Sequence, residues 1–355
     1  MPLSTPFWWY RKQGALAAAL SPLGPLYGAL AEVKAARVAP YRSRLPVICI
    51  GNVTAGGGGK TPTAIAVAAL LKSIGERPVF LTRGYGGKSK GPVLVRNGQA
   101  AAEVGDEPLL LAAHAPTVVS ADRAAGAKFI EGLAAGVSAA SVADASVTDA
   151  SVIVMDDGFQ NPQLVKDFSL IVADSGLGIG NGLIMPAGPL RAPLESQIHR
   201  ANALLLIGDG DQAATLVTAF EAQGKPLLKA RLATRGDSRW LGVLPVIGFA
   251  GIANPKKFYS SLTSHGARLI DTMSFADHHR YTPRQAAFLM KWAREQNAML
   301  VTTEKDWVRL PEDGGTALGE LKHRSRPLLI AVEFGDADKL KALLVAALTK
   351  GRASS

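Results

Sequence analysis

The chain has 355 residues, of which 48% are hydrophobic and 19% charged, and this balance predicts a packed core in one large domain or two ordinary ones. A single cysteine, Cys49, excludes an internal disulfide and is typical of a reducing compartment. The net charge of +10 indicates an anionic partner: a nucleic acid, a phosphorylated substrate or acidic lipid headgroups.

The first 38 residues hold an apolar segment that two prolines interrupt. Residues 14–38 fall short of the roughly 20 uninterrupted apolar residues that a membrane-spanning helix needs. The aromatic cluster at residues 7–10 precedes Arg11 and Lys12, a pattern typical of anchors at a membrane–water interface. We therefore expect residues 1–38 to lie on an anionic membrane surface, with a helical hairpin packed on the protein as the alternative.

From residue 46 to residue 207, apolar runs rich in Val, Ile and Leu alternate with helical patterns. This alternation predicts an α/β fold whose parallel sheet is covered by helices on both faces. The predicted strands are 46–50, 78–82, 117–120, 152–155, 169–173 and 203–207, and the predicted helices include 61–73, 108–114 and 123–135. Residues 136–151 repeat the triplet Ala-Ser-Val and are predicted to form a surface insertion.

A second alternating block predicts a smaller α/β domain over residues 240–325. Its predicted strands are 244–249, 267–272 and 298–303. Its helices are predicted to start after Asn254-Pro255 and Thr282-Pro283, where Thr282 and Gln285 form a capping box. The predicted organisation is a core (1–225), a two-stranded connector (226–239 and 326–335, pairing 227–233 with 328–334) and a C-terminal helix returning to the core (336–355).

Residues 47–71, VICIGNVTAGGGGKTPTAIAVAALL, have the order strand, glycine loop and helix that a phosphate-binding loop requires. The glycines of this loop are Gly56, Gly57, Gly58 and Gly59. They let backbone N–H groups face a phosphate, and the positive end of the new helix adds to them. Lys60 would reach the β- and γ-phosphates of a nucleotide, and Thr61 would ligate Mg²⁺. The alternative is a flexible glycine turn that precedes a helix.

The glycine loop departs from the strict G-x4-G-K-[ST] pattern, because Thr54 stands where that pattern has glycine. The local sequence is nearer to the G-G-x-G-K-T form of another P-loop branch. Ala55 replaces the lysine that dimeric ATPases of that branch carry, which disfavours an ATPase that switches by dimerising. The sequence has no Asn-Lys-x-Asp motif for guanine, which disfavours a GTPase.

Two acidic pairs are candidates for the chemistry. VIVMDDGFQ ends a predicted strand with Asp156 and Asp157, and a carboxylate at such a strand end beside a P-loop holds Mg²⁺ directly or through water. In EVGDEPLLLAAH, Asp106 would be a catalytic base or Glu107 a second carboxylate beside the metal. The alternatives are turn chemistry for the first pair and an ordinary helix start for the second.

The remaining candidates lie in loops after predicted strands. SFADHHRYTPRQ contains Asp277 and His278, which fit a histidine oriented by a carboxylate, a metal ligand or a simple polar loop. Arg83, Arg123 and Arg191 would clamp phosphates through paired hydrogen bonds, although a single arginine is more often a solvated surface charge.

Seven motifs occur in order between residues 51 and 306. They are GNVTAGGGGKTP, RGYGG, GDEP, DDGFQ, PAGPLR, FADHH and TTEKD. Together they closely resemble the tetraacyldisaccharide 4'-kinase family, the lipid A kinases of Gram-negative bacteria. Thr54 agrees with that family, whereas Asn161 stands where the family usually has a histidine after DDGFQ.

The resemblance implies transfer of the ATP γ-phosphate to the 4'-hydroxyl of a tetraacyldisaccharide 1-phosphate. It implies a P-loop NTPase-like core, ATP and Mg²⁺ as cofactors, a glycolipid substrate, an anionic membrane surface and no nucleic acid partner. The protein would lie at the cytoplasmic face of the bacterial inner membrane, as a peripheral or monotopic protein. The alternatives are a membrane-associated P-loop ATPase that acts on a protein partner and a nucleotide-binding module without catalysis.

The same resemblance implies the role of each site residue. Asp106 would be the base near the sugar hydroxyl, His278 would raise its basicity, and Lys60 would act on the phosphates. The residues around Mg²⁺ would be Thr61, Glu107, Asp156 and Asp157. The residues that bind the nucleotide would be Thr54, Ala55, Gly56, Gly57, Gly58, Gly59, Lys60, Thr61 and Gln160, and those near the substrate Tyr85, Arg123, Arg191 and Asp277. Because Asp106 and His278 come from different predicted domains, we expect a cleft that closes to assemble the pair.

Overall fold

The computed structural model describes residues 6–11, 14–136 and 149–354. Most of the repeat predicted as a surface insertion lies outside these residues, and so does Lys12 of the predicted anchor. Over the described residues, the chain forms two β-sheets, one of nine strands and one of four.

The larger sheet contains β1 (Val47–Gly51), β2 (Pro78–Thr82), β3 (Val93–Leu94), β4 (Thr117–Val119), β5 (Val152–Asp156), β6 (Phe168–Asp174), β7 (Ala203–Ile207), β8 (Leu227–Thr234) and β13 (Ile330–Phe334). The smaller sheet contains β9 (Pro245–Ala250), β10 (Arg268–Ser274), β11 (Met299–Thr303) and β12 (Ser325–Leu328). In space the larger sheet runs β13-β8-β7-β6-β1-β5-β2-β4-β3, and the smaller runs β10-β9-β11-β12. Neighbouring strands are parallel, except that the edge strands β13 and β3 are antiparallel to their neighbours.

The helices connect these strands and cover the sheets. They are α1 (Ala15–Leu20), α2 (Leu23–Ala36), α3 (Lys60–Ser73), α4 (Ala101–Val104), α5 (Asp106–Ala112), α6 (Arg123–Ala134), α7 (Leu194–Arg200), α8 (Ala214–Glu221), α9 (Pro255–Ser264), α10 (Pro283–Glu295), α11 (Glu304–Arg309), α12 (Ala317–Arg324) and α13 (Ala337–Ala353). Single 3₁₀ turns cover Phe7–Tyr10 and Arg239–Gly242. The predicted capping box of α10 is confirmed, because the Thr282 side chain accepts from Gln285 N and Thr282 N donates to Gln285 Oε1.

The predicted α/β fold with helices on both faces of the sheet is confirmed. Alternate residues of β1 point to opposite faces. Ile48 and Ile50 pack with α3 and α13, whereas Val47 and Cys49 pack with α6 and α8. Both faces are therefore buried, which explains the unbroken apolar runs of these strands. Burial raises the pKa of the Cys49 thiol to about 12, so this cysteine is a protonated core residue.

The two segments expected to form a connector pair with each other, from Ala230 opposite Phe334 to Thr234 opposite Ile330. β8 also pairs in parallel with β7, so both strands extend the larger sheet as its edge instead of forming a separate ribbon. The chain leaves the larger sheet after β8, builds the smaller sheet and re-enters at β13. α13 then packs on the larger sheet through its buried leucines.

The aromatic cluster expected to anchor the protein in a membrane is partly packed on the core. The Trp9 side chain is 9% exposed, and its Nε1 donates to Pro186 O at 3.0 Å. Asn181 N donates to the Trp9 carbonyl at 2.7 Å, and Tyr10 shares a small pocket with the glycine loop and Asp174. The anchoring prediction is therefore wrong for Trp9, because its ring already packs against protein.

The exposed apolar surface of the N-terminal region lies on α2 instead. The exposed apolar side chains of this helix are Leu23, Leu26, Tyr27, Leu30 and Val33. They are spaced one or three positions apart along the helix and so share one face, with Leu26 and Leu30 exposed to 59% and 64%. Among the helices of the described residues, none is both long and apolar enough to cross a membrane.

Candidate active site

The glycine loop joins β1 to α3, and its shape depends on glycine. Gly56 and Gly59 have φ angles of 115° and 80°, which side chains rarely permit. A Cβ atom at Gly58 would lie 2.4 Å from Nδ2 of Asn52, so a side chain there would require the Asn52 amide to move. The loop therefore stays free of side chains in front of α3, where the positive end of the helix can bind a phosphate.

Thr54 and Ala55 fix the start of the glycine loop. Thr54 donates from N and from Oγ1 to Asn52 Oδ1, at 2.8 and 2.9 Å, and its side chain is buried. Ala55 N donates to Pro189 O at 2.7 Å. The hydroxyl of Thr54 thus supports the loop from within, which explains why a threonine is accommodated where the strict pattern has glycine.

Charged groups of opposite sign meet at the start of α3. Lys60 Nζ donates to Gly56 O at 3.0 Å and lies 3.8 Å from Asp157 Oδ2. Arg191 donates to both oxygens of Asp157 at 3.1 and 3.3 Å, and from Nε to Thr54 O at 3.0 Å. Burial opposes ionisation of Asp157, but Lys60 and Arg191 outweigh it and lower its pKa. Two cations and an ionised carboxylate therefore border the glycine loop.

Gln160 links this cluster to the strand that precedes the loop. Its Nε2 donates to Asn52 O at 2.9 Å, and its Oε1 accepts from Arg191 at 3.2 Å. The side chain of Asn161 bonds within its own turn, donating to Gln163 Oε1 at 3.0 Å and accepting from Gln163 N at 2.9 Å. Asparagine thus serves as a turn residue at the position where the resemblance expects histidine.

Asp156 ends β5 as a buried carboxylate with one unpaired oxygen. Thr61 Oγ1 donates to Oδ2 at 2.9 Å, whereas no described residue bonds to Oδ1. Burial, together with the negative charges of Glu107 and Asp157, raises the pKa of Asp156 to about 7. A hydroxyl and carboxylates with an unused buried oxygen fit Mg²⁺. Within the described ranges, no group of three or more His, Cys, Asp and Glu residues is placed so that it could hold a metal ion by itself.

Asp156→Asn is expected to make the free energy of unfolding less dependent on pH. The folded protein raises the pKa of Asp156 from 3.8 to about 7, so the stability that this group contributes is lost as pH rises through 7. Each pKa unit corresponds to about 1.4 kcal/mol, so the wild type should lose a few kcal/mol more than the variant between pH 5 and pH 8. Denaturant unfolding of both ligand-free proteins measures this difference, and identical pH dependence would contradict the raised pKa.

Asp106 and His278 meet although they lie in connections of different sheets. Asp106 begins α5, and His278 lies in the loop after β10. His278 Nδ1 is 3.1 Å from Asp106 Oδ2, and the ring of Tyr85 lies 5.1 Å from the imidazole. Asp277 Oδ1 accepts from His278 N at 3.0 Å. The structure thus brings together four residues that the sequence suggests for the base and the substrate site.

Two cations on α11, which are not among the residues predicted for the site, complete this cluster. Arg309 donates to Asp106 Oδ2 from Nε at 3.0 Å and from Nη2 at 2.5 Å. Lys305 Nζ donates to Glu107 Oε1 at 2.8 Å. For Lys305 the available signal is the TTEKD motif, which contains it, whereas Arg309 lies outside the motif, one helical turn further along α11.

The charges of these residues connect the two clusters. Burial opposes ionisation of Asp106, but His278, Lys305 and Arg309 lower its pKa well below its usual range. The prediction that His278 raises the basicity of Asp106 is therefore wrong, because the hydrogen bond from the imidazole stabilises the ionised carboxylate. Glu107, the next residue, pairs with Lys305 and also raises the pKa of Asp156 through its negative charge. In the Asp106–Glu107 dipeptide, Asp106 therefore contacts the histidine, and Glu107 acts on the candidate metal site through its charge.

Arg123 lies apart from the open surface of the site. Its side chain is buried, and Nη1 donates to Ser120 O at 2.5 Å. The pKa of Arg123 is lowered to about 10. Burial is the larger cause, and the positive charge of the exposed Arg83 is a smaller one. Protein encloses the Arg123 side chain in this structure. Contact between Arg123 and a ligand therefore stays a prediction.

The fold and these clusters define a class of protein. A parallel sheet whose β1 leads through a glycine loop into a helix is the phosphate-binding unit of P-loop proteins. Carboxylates at the end of the adjacent β5 and a partly buried Asp–His pair are residue types that phosphoryl transfer to an alcohol uses. The class is that of P-loop phosphotransferases.

Comparison with known proteins gives the family. The profile of the tetraacyldisaccharide-1-P 4'-kinases matches residues 16–349. The chain is 49% identical over 352 residues to tetraacyldisaccharide 4'-kinase of Methylobacterium sp. (strain 4-46), covering 98% of both chains. It is 43% identical over 351 residues to the enzyme of Bradyrhizobium diazoefficiens, covering 98% of this chain and 97% of the relative.

The crystal structure of LpxK from Aquifex aeolicus in complex with ATP is 26% identical, with a TM-score of 0.66, and covers 94% of this chain and 99% of that one. The chain belongs to the tetraacyldisaccharide-1-P 4'-kinase family. It is accordingly an ATP-dependent phosphotransferase of lipid A biosynthesis, and its acceptor substrate is a glycolipid.

Proposed function

We propose that this site transfers the γ-phosphate of ATP to the 4'-hydroxyl of tetraacyldisaccharide 1-phosphate. The observation that carries the proposal is the Asp106–Glu107 dipeptide. Asp106 pairs with His278, and the charge of Glu107 raises the pKa of Asp156. The proposed base is thus next in sequence to a carboxylate whose charge acts on the candidate Mg²⁺ site, which supports the meeting of an attacking oxygen with a phosphate.

The residues of the first cluster would bind the nucleotide. Lys60 would neutralise the β- and γ-phosphates, and Arg191 would stay near them through its pairing with Asp157. The loop residues and Gln160 would line the phosphates. Mg²⁺ would be held by Thr61, Glu107, Asp156 and Asp157. The ion would supply positive charge to the phosphate oxygens.

The second cluster would act on the acceptor. Asp106 would receive the proton of the sugar hydroxyl, while His278 Nδ1 donates to Oδ2 and steadies the carboxylate. The low pKa of Asp106 is compatible with this role, because a loose transition state releases the hydroxyl proton late. Tyr85 and Asp277, which adjoin the imidazole, would border the sugar.

We propose that residues 1–225 and 240–325 act as two domains that close on the substrates, with 226–239 and 326–335 as connectors and 336–355 returning to the first. The two separate sheets support this division, and ion pairs join the two units. Lys257 lies 2.7 Å from Asp174, and Lys305 lies 2.8 Å from Glu107. Closure would exclude water from the transfer and hold His278 at Asp106, where it already lies 3.1 Å away in this structure.

We further propose that the protein works at the cytoplasmic face of the inner membrane, as a peripheral or monotopic protein on an anionic surface. The exposed apolar face of α2 would enter the interface, and the net charge of +10 would favour acidic headgroups. An acylated acceptor stays in the bilayer, so an enzyme that lies on the membrane can reach its sugar without extracting the lipid.

A double substitution on α2, Leu26→Glu with Leu30→Glu, is expected to weaken binding to vesicles that contain anionic phospholipid. Burial of each leucine is worth about 1.5–3 kcal/mol, so the bound fraction should fall by at least about tenfold. Val345→Glu on α13 replaces another exposed apolar residue and should leave binding unchanged. Unchanged sedimentation of the double variant would favour the packed hairpin. Deletion of residues 1–38 is a poorer test, because it also removes Trp9 from the core.

Thin-layer chromatography with labelled ATP and the disaccharide lipid tests the proposed reaction directly. The label is expected in the lipid product, with little ATP hydrolysis when lipid is omitted. Rapid hydrolysis without acceptor and no labelled lipid would indicate instead an ATPase that acts on a protein partner.

A further inference from the structure

The hydrogen bonds of the Asp106 side chain all end on one of its two oxygens. His278 Nδ1 lies 3.1 Å from Oδ2, and Arg309 donates to the same oxygen at 3.0 and 2.5 Å. No described residue donates to Oδ1. The ion pair is enclosed, because only 5% of the Asp106 side chain and 6% of the Arg309 side chain are exposed. Oδ1 is therefore the oxygen that is left to accept a hydrogen bond from a ligand.

The guanidinium of Arg309 is fixed on its other side as well. Nη1 donates to Asp306 Oδ1 and to Gly251 O, both at 2.7 Å. Asp306 is completely buried and accepts from Tyr281 Oη at 2.9 Å and from Thr303 Oγ1 at 2.6 Å. The planar guanidinium thus spans two carboxylates and a carbonyl, and these contacts together set its position.

Stability alone explains this arrangement poorly. A buried ion pair adds little net stability because both charges lose their hydration, and an apolar pair of similar volume often does as well. The partner of Arg309 is, moreover, the residue that we propose as the base. Lys305, one turn earlier on α11, pairs with the adjacent Glu107 at 2.8 Å. The short helix α11 therefore pairs its two cations with two neighbouring acids of the proposed site, Asp106 and Glu107.

We propose that Arg309 is a positioning residue for the phosphoryl transfer. Together with His278 it holds Oδ2 of Asp106, so that Oδ1 is presented to the acceptor hydroxyl. This inference rests on the proposed function, since it takes Asp106 as the group that receives the hydroxyl proton. Arg309 itself exchanges no proton, because a guanidinium stays protonated in proteins. Its effect is on alignment, and a misplacement of about 1 Å can cost roughly 100-fold in rate.

Arg309→Met removes the guanidinium but keeps an unbranched side chain. It is expected to lower kcat by roughly 10–100-fold and to leave the KM for ATP within about threefold. Arg309→Lys keeps a point charge without the planar fork and is expected to restore part of the loss. Steady-state phosphorylation of the disaccharide lipid in detergent micelles measures both constants. Arg324→Met, which removes an exposed arginine paired with Glu320 on α12, is the matched control and should stay within about twofold.

Repeating the substitution in an Asp106→Ala background separates positioning from folding. There, Arg309→Met should change kcat by less than about twofold, because the oxygen that it holds is gone. Equal losses in both backgrounds would mean that Arg309 acts without Asp106, and this result would overturn the proposal. Unchanged or faster turnover of Arg309→Met would overturn it too, since the ion pair would then be a resting contact that opens before transfer.

Two further results keep the test decisive. If Arg309→Met does not fold, the same cycle with Arg309→Lys measures the coupling to Asp106, because this variant keeps the charge in the buried network. Full activity of Asp106→Ala by itself would remove the proposed base and this inference with it. Loss of activity in Asp106→Ala with normal Arg309 variants would refute the positioning role alone.

Discussion

Lys60→Ala is expected to lower kcat by roughly 10³-fold while the protein stays folded. Lys60 begins α3, and its amine lies over the glycine loop, 3.0 Å from Gly56 O. Its charge would neutralise the phosphate oxygens as the γ-phosphate leaves. Arg191, the other cation of this cluster, is held by Asp157 and the Thr54 carbonyl, so it is poorly placed to replace the lost amine.

Transfer of labelled phosphate measures the effect of Lys60→Ala, and circular dichroism with thermal unfolding measures folding. Lys72→Ala is the matched control, because Lys72 lies in the last turn of the same helix and its Nζ donates to His114 O at 2.6 Å. That variant should keep normal turnover. If Lys60→Ala retained more than about a tenth of wild-type activity, the loop would not be acting as the proposed phosphate site.

Asp106→Ala is expected to reduce kcat by roughly 10²–10⁴, the range for loss of a general base. The affinity for ATP should change little, because Asp106 pairs with His278 and Arg309 and makes no contact with the glycine loop. Glu103→Ala is the control, since this exposed acid on α4 lies three residues away and bonds to Gln99. Turnover of Asp106→Ala near the wild-type value would remove Asp106 from the mechanism.

Stability must be measured alongside turnover for Asp106→Ala. The folded protein lowers the pKa of Asp106, so this group contributes stability above its usual pKa and loses it as pH falls. The variant is therefore expected to be less stable than the wild type at neutral pH and more nearly equal to it in acid. Arg309 keeps Asp306 and the Gly251 carbonyl as partners, which limits the loss. Kinetics well below the unfolding temperature separate this effect from catalysis.

The strands of the larger sheet can be predicted from the sequence because most are buried on both faces. The predicted strands 78–82 and 203–207 agree in both bounds with β2 and β7. A parallel strand covered by helices on both faces needs apolar residues throughout, so the ends of the apolar run mark the ends of the strand. Strand order cannot be predicted in this way, because it depends on pairing between distant segments. The place of β8 and β13 at the edge of the larger sheet therefore emerges only in the structure.

The residues of the site also fall into those that belong to local sequence patterns and those that depend on distant segments. Lys60, Thr61 and Asp156 can be predicted, because a glycine loop and an adjacent strand end are local patterns. Arg309 cannot, since its partner lies 203 residues away and nothing local distinguishes it among 39 lysines and arginines. The error at Trp9 has a different origin. Aromatic rings beside basic residues give the same pattern whether they pack on lipid or on protein.

An affinity tag that displaces Trp9 would act close to the nucleotide site. Trp9 and Tyr10 contact the segment around Gly180 so closely that a Cβ atom there would come within 2.3 Å of the Trp9 carbonyl oxygen. A bulky or charged leader that pulls this segment away is expected to disturb the glycine loop that Tyr10 borders. A tag placed after α13 leaves the contact intact, so protein purified with a C-terminal tag should bind ATP more tightly than protein with an N-terminal tag.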